Sequence, residues 1–145
     1  MSHHLILRVV AKLLIPFILL YALYVQFHGD FGPGGGFQAG VIFASAFILY
    51  ALIYGVDKTV QVVPEAVLRV GIGLGVLIYG GTGLVSLFLG ANYLDYSPLA
   101  HDAPHGQHIG IFSVELGVGI TVASVMATLF LQFAGRGGND NMEDE

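Results

Sequence analysis

The sequence predicts an all-α integral membrane protein of four transmembrane helices with both termini cytoplasmic. Three observations carry that prediction. Hydrophobic residues make up 55% of the 145-residue chain and charged residues only 10%, where a soluble domain is about a quarter charged. Mean hydropathy is +0.78. Four apolar runs are each long enough to cross a bilayer, which takes about 20 residues.

The first run begins at about Leu5 and continues to Phe27, behind a polar start containing His3, His4, Arg8 and Lys12. Lys12 can snorkel back to the surface. Pro16 is expected to kink this helix, with neighbouring helices re-satisfying the freed carbonyl. The run is too long for a cleavable signal, and no small-residue cleavage site follows it, so the segment is expected to stay. The second run, from about Phe37 to Tyr54, carries no charge. It is rich in small residues (Ala39, Gly40, Ala44, Ser45, Ala46), as expected where membrane helices approach closely. Gly55 to Pro64 forms a short connection. The third run extends from about Leu68 to Leu89, with Gly71 and Gly75 at a close-packing spacing. Its glycines do not form a dinucleotide-binding loop, since no strand precedes them. Gly90 to His108 is the longest loop, and the last run spans about Ile109 to Phe133. Residues 1–134 are thus expected to form one membrane domain, and 135–145 a polar, disordered cytoplasmic tail.

Four passes put both termini on one side, together with all five basic residues: Arg8, Lys12, Lys58, Arg69 and Arg136. The positive-inside rule then makes that side cytoplasmic. The net charge of −5 owes much to the tail residues Asp140, Glu143, Asp144 and Glu145. No basic patch suggests nucleic acid. Without cysteine, disulfides, thiolate metal sites and cysteine nucleophiles are excluded. No Ser-His-Asp or phosphate-loop pattern appears, and every histidine lies at a terminus, loop or helix edge, where haem ligation is not expected. No cofactor is therefore expected, and nothing marks the chain as an enzyme by itself.

Between the first two runs lies Asp30-Phe31-Gly32-Pro33-Gly34-Gly35-Gly36-Phe37. Glycine tolerates positive φ and close backbone approach, and Pro33 pushes Gly32 away from helix. The stretch is a forced break with a helix restarting after it. The free N–H groups of a helix start favour an anion or a neighbouring carboxylate. The plainer reading is a tight turn that lets two helices pack.

Glu115 is the one acidic residue well inside a run. Counted from a helix start near Ile109, it lies about 9 Å in. A carboxylate there is costly unless paired, protonated or wetted, and such residues mark ion and proton paths; the alternative is a structural hydrogen bond to a partner helix. Gly119, one turn further, leaves room for a neighbouring helix or water. His28, Asp30, Asp95, His101, Asp102, His105 and His108 make the two outer loops acidic and histidine-bearing. They could form a vestibule that attracts cations or buffers protons. A zinc site is disfavoured because Pro104 interrupts the helix that would align His101 with His105.

The segment Phe27 to Gly40, centred on Gly32-Pro33-Gly34-Gly35-Gly36-Phe37, resembles the signature of the MnhB-related family, small subunits of multisubunit Mrp-type Na+/H+ antiporters. The small-residue helix with Ala44, Ser45 and Ala46, the segment Ile109-Gly110-Ile111-Phe112 and the four spans agree with it. The resemblance covers most of residues 5 to 133. It implies a small non-enzymatic subunit, in the cell membrane, of a complex that exchanges cytoplasmic sodium for external protons. Its partners would be the other antiporter subunits, the larger of which resemble the proton-pumping membrane subunits of respiratory complex I. The glycine motif, Gly32 to Phe37, would shape a subunit contact. Glu115, with His108, Asp30 and His28, would be the candidates for an ion or proton pathway. Many members place an acidic residue just before the Ile-Gly of the last helix; this chain has His108 there and its carboxylate at Glu115. Similar subunits occur in membrane-bound hydrogenases and related ion-translocating redox complexes, which is the alternative. A purely structural assembly subunit is the third reading.

Overall fold

The computed structural model describes residues 2–29 and 34–139. Asp30, Phe31, Gly32 and Pro33 lie outside the described residues, as does the end of the chain from Asp140. All regular structure among the described residues is helical: α1 (Ser2–His28), α2 (Gly36–Tyr54), α3 (Val56–Val62), α4 (Glu65–Phe88), a 3-10 turn (Ser97–Leu99) and α5 (Ala103–Asn139). Four of these, over Leu5–His28, Gly36–Tyr54, Glu65–Phe88 and Ala103–Arg136, are long and apolar enough to span a membrane. The chain is a multi-pass membrane protein.

Several boundaries differ from those read in the sequence. The connection after Tyr54 contains a short helix, α3, set off by Gly55 at φ 93°. Its only polar residue at a buried position, Thr59, satisfies its hydroxyl on the carbonyl of Gly55 at 2.9 Å. The last helix begins six residues before Ile109, because Pro104 sits in its first turn, where a missing N–H costs nothing. Pro104 therefore starts the helix instead of interrupting it. At the other end α5 runs on to Asn139, so residues 135–139 of the expected tail are helical; Arg136 in that last turn complements the negative end of the helix dipole. Pro16 is accommodated within the single helix α1.

Helix α5 is the axis of the bundle. It packs along both α2 and α4, while α1 lies mainly against α2. The contacts fix the directions. Gly36 and Gly40 of α2 meet Glu115 and Gly119 of α5 in the same order, so these two helices run parallel. Gly71 and Gly75 of α4 meet Ser124 and Thr121 in reverse order, so α4 runs antiparallel to α5. Both seams are built from small residues. A Cβ on Gly75 would stand 2.5 Å from the Gly117 carbonyl oxygen, and one on Gly40 would stand 2.6 Å from that of Gly119. Helices in apolar surroundings associate through such close approach, since hydrophobic burial supplies little between them.

The up-and-down arrangement gives the bundle two distinct ends. At the basic end the Tyr54 hydroxyl reaches the Arg8 carbonyl at 3.4 Å. There Ala51, Leu68, Ala127 and Leu131 form a buried cluster, with Val56, Val60, Val63 and Phe130 packed on it. Toward the other end the close of α1 and the start of α2 meet α5 near Glu115, and the loop after α4 covers the first turns of α5 at Gly106 and Gly110. Hydroxyls within the spans bond their own helices, as with Thr82 to Ile78 (2.8 Å), Thr121 to Gly117 (2.9 Å) and Thr128 to Ser124 (2.7 Å). That satisfies them without water. Large apolar side chains cover the outside, including Leu13, Phe17, Leu52, Leu77 and Phe133, the expected surface of a chain surrounded by lipid and other membrane helices.

Candidate functional site: a carboxylate at the glycine end

Glu115 lies where three chain segments converge. Gly29 follows the last residue of α1, Gly35 is the N-cap of α2, and Gly36 is that helix's first residue. A Cβ on Gly29 would stand 2.5 Å from Glu115 Oε2, and one on Gly35 would stand 3.2 Å from Oε1. At Gly36 a Cβ would run into the Glu115 backbone carbonyl. The carboxylate thus occupies space that side chains at these positions would fill. Gly35 also has φ 128°, a backbone conformation that suits glycine.

This is the start of a helix that caps itself poorly. Gly35 supplies no side-chain cap and the first turn of α2 holds no acidic residue. The first turn's N–H groups have no intrahelical partners, and the helix dipole adds partial positive charge there. A carboxylate delivered from α5 against the N-cap complements both. The neighbouring carboxylate expected from the glycine loop and the charged residue expected to need a special environment are therefore parts of one site.

The site's depth differs from the count made from Ile109. Glu115 is half-buried and level with the end of α1 and the start of α2. It stands where α1 ends and α2 begins, yet twelve residues into α5 and close to the level at which Gly117 meets Gly75 and Tyr79, partway along α4. His28, the last residue of α1, is exposed and stacks on Tyr24 at 5.2 Å between ring centroids. His108 is exposed on α5, seven residues before Glu115 and so roughly on the same face, about 10 Å away along the axis. Phe112, on the next turn from Glu115, stacks on Phe27 at 5.7 Å and closes one flank. Of the glycine motif, Gly34, Gly35 and Gly36 are within the described residues and Phe37 is exposed at 63%; Gly32, Pro33 and Asp30 fall outside them.

The loop between α4 and α5 packs on a different side of α5. Tyr93 covers Gly83 and Tyr96 covers Gly110. Burial, with the Tyr79 and Tyr93 phenols nearby, holds the Tyr96 hydroxyl's pKa above the ordinary tyrosine value. His101 and His105 are exposed. Among the described residues no three His, Asp or Glu side chains gather into a metal-binding group.

Two residues of the site carry little signal in the sequence. Gly29 is inconspicuous beside the denser glycines that follow it. Gln26 sits one turn earlier on the same face of α1, 6% exposed, with its amide oxygen against Gly119 and its amide nitrogen without a hydrogen-bond partner. A buried unpaired donor costs about 1–3 kcal/mol. The only hint of it in the sequence is a lone amide within the apolar run ending at Phe27.

A multi-pass helical protein with one carboxylate held at a glycine-lined junction of helices, and with apolar surface on all sides, has the build of a membrane-complex subunit. Comparison with known proteins gives the family. Residues 6–128 match the model described as "Domain related to MnhB subunit of Na+/H+ antiporter". The chain is 33% identical over 133 residues to a Staphylococcus aureus (strain MRSA252) protein named as antiporter subunit mnhB2, covering 90% of this chain and 94% of that one. The corresponding protein of strain Newman is 33% identical over 135 residues, with the same coverage. The chain belongs to the MnhB-related family of Na+/H+ antiporter subunits.

Proposed function

We propose that the chain is a small subunit of a multisubunit Na+/proton antiporter of the cell membrane, with its termini and α3 on the cytoplasmic side. In this reading Glu115 contributes to the complex's ion or proton passage. Family membership supports the first part, and the gathering of all five basic residues toward one end of the bundle supports the orientation. The observation that carries the role of Glu115 is its placement against Gly29 and Gly35 at the start of α2.

Two opposing effects act on a carboxylate in that position. The helix start favours its charged form, and removal from water favours its neutral form. A carboxylate there can exchange a proton or a monovalent cation with the space beyond the glycine end, where His28 and His108 are exposed. Asp30, the remaining candidate, lies outside the described residues. Transport is driven by the existing ion gradients, and this chain performs no covalent chemistry.

The test is Glu115→Gln in the assembled complex, assayed as sodium-dependent dissipation of a pH gradient in everted vesicles. The expected result is normal assembly with antiport reduced about tenfold or more, the scale on which loss of a directly used group registers. Unchanged antiport at normal assembly would leave Glu115 a structural cap and the chain an assembly subunit.

A further inference from the structure

Two cations stand on the outside of α1 at the basic end. Arg8 and Lys12 are four residues apart and so share a face of the helix. Both are exposed, and so are their large apolar neighbours Leu7, Val9 and Leu13. Neither has a carboxylate partner among the described residues. Three helices set their depth. Ala51 of α2 and Leu68 of α4 pack in one buried cluster. Three residues beyond each, α2 ends at Tyr54 and α4 begins at Glu65. The Tyr54 hydroxyl reaches the Arg8 carbonyl at 3.4 Å, which brings α1 to the same level. Arg8 therefore lies where two spans end, and Lys12 lies one turn, about 6 Å, further in.

We infer that Arg8 and Lys12 together bind the phosphate of an anionic phospholipid, one whose headgroup carries no ammonium. The end of the spans is the depth at which lipid phosphates lie. Helical side chains lean toward the N-terminus, and on α1 that is the direction of the boundary, so Lys12 extends toward the level of Arg8. A guanidinium holds phosphate oxygens through paired N–H groups, and an ammonium adds a point charge beside it. Two cations around one phosphate leave positive charge over. A zwitterionic lipid would bring its own ammonium into that field, and an anionic one would not. The exposed apolar residues on the turns around the pair give the acyl chains a surface to lie on once the phosphate is seated. A lipid held there would anchor the start of α1, which packs mainly on α2. The site requires only that the basic end face an anionic leaflet, so it stands apart from the role of Glu115 and from which face is cytoplasmic.

The experiment uses the purified complex in phosphatidylcholine bilayers with a trace of a photoactivatable probe, either phosphatidylglycerol or phosphatidylcholine, each with a diazirine near the top of one acyl chain. After illumination at low salt, adducts are mapped by mass spectrometry. The phosphatidylglycerol probe is expected to label residues 5–16 about tenfold more than the phosphatidylcholine probe, the scale of two basic side chains at an anionic headgroup. That excess is expected to fall at about 0.5 M salt and to vanish when Arg8→Gln and Lys12→Gln are combined. Arg69→Gln, on α4, is expected to leave the labelling of 5–16 unchanged. Equal labelling by the two probes in the unaltered complex would overturn the inference, as would an excess that survives the double substitution. If the doubly substituted complex does not assemble, the two probes and the salt series in the unaltered complex decide. Two further results would contradict the inference by giving the cations another occupant. One is an excess that arises only when the chain is shortened to end at Asn139, which would assign them to the acidic end of this chain. The other is a carbodiimide cross-link from Lys12 to a carboxylate of another subunit.

Discussion

Glu115 owes its position to neighbours that have no side chains. The same residues that leave room for its carboxylate, Gly29 and Gly35, sit beside the exposed N–H groups of α2, so space and electrostatics are supplied together. A methyl at Gly36 would meet the Glu115 backbone, which has nowhere to move without shifting α5. Gly36→Ala is therefore expected to destabilise the subunit by about 2–3 kcal/mol, the upper range for overpacking, read as a lowered melting temperature of the complex; an unchanged melting temperature would contradict this close contact. The sequence marks the glycine loop as a helix break, with a tight turn as its plainer reading, and Glu115 as the one acidic residue well inside a run. Their meeting is not legible there, because it depends on α2 and α5 running parallel with Gly36 level with Glu115, a register no local pattern encodes. Gln26 was missed for a related reason: an amide in an apolar run is unremarkable until its burial against Gly119 is known.

At the scale of the helices, glycine does two different jobs in α4. Gly71 and Gly75 face α5, where Ser124 and the Gly117 carbonyl leave no room for a methyl, while Gly73, Gly80 and Gly81 face open space. Gly75→Ala is expected to cost about 1–3 kcal/mol through overpacking. Gly73→Ala is expected to be neutral, or to favour the helix by up to about 1 kcal/mol through propensity. Thermal stability of the two variants side by side checks the contrast; equal losses would mean that α4 presents a different face to α5. The Gly71/Gly75 spacing was readable as a packing seam, and α4 uses it as one. Helix ends were read less well. Pro104 looks like a break when the apolar run alone is used to place the helix, and it is a normal first-turn residue once the helix is allowed to begin in polar sequence. Likewise Gly135 suggested an end that α5, continuing to Asn139, does not observe.

The whole molecule is a thin bundle with α5 at its axis and α1 on its flank, and its apolar outside needs lipid or other subunits as surroundings. The four spans and the all-helical class followed from composition and run length, since backbone groups in hydrocarbon must be paired within the segment. Sidedness rests on the basic residues. Single cysteines at positions 58 and 102 are expected to react from opposite faces of the membrane with an impermeant thiol reagent; labelling from the same face would refute the four-pass topology. Membership of an antiporter complex is tested by purifying the chain in mild detergent through a tag on its C-terminus and identifying what accompanies it. Large antiporter-like membrane subunits without redox proteins are the predicted result. Nickel–iron or iron–sulfur subunits in the preparation would contradict it and move the same module into a redox-driven complex, and a chain that purified alone yet still transported sodium in vesicles would contradict the subunit assignment itself.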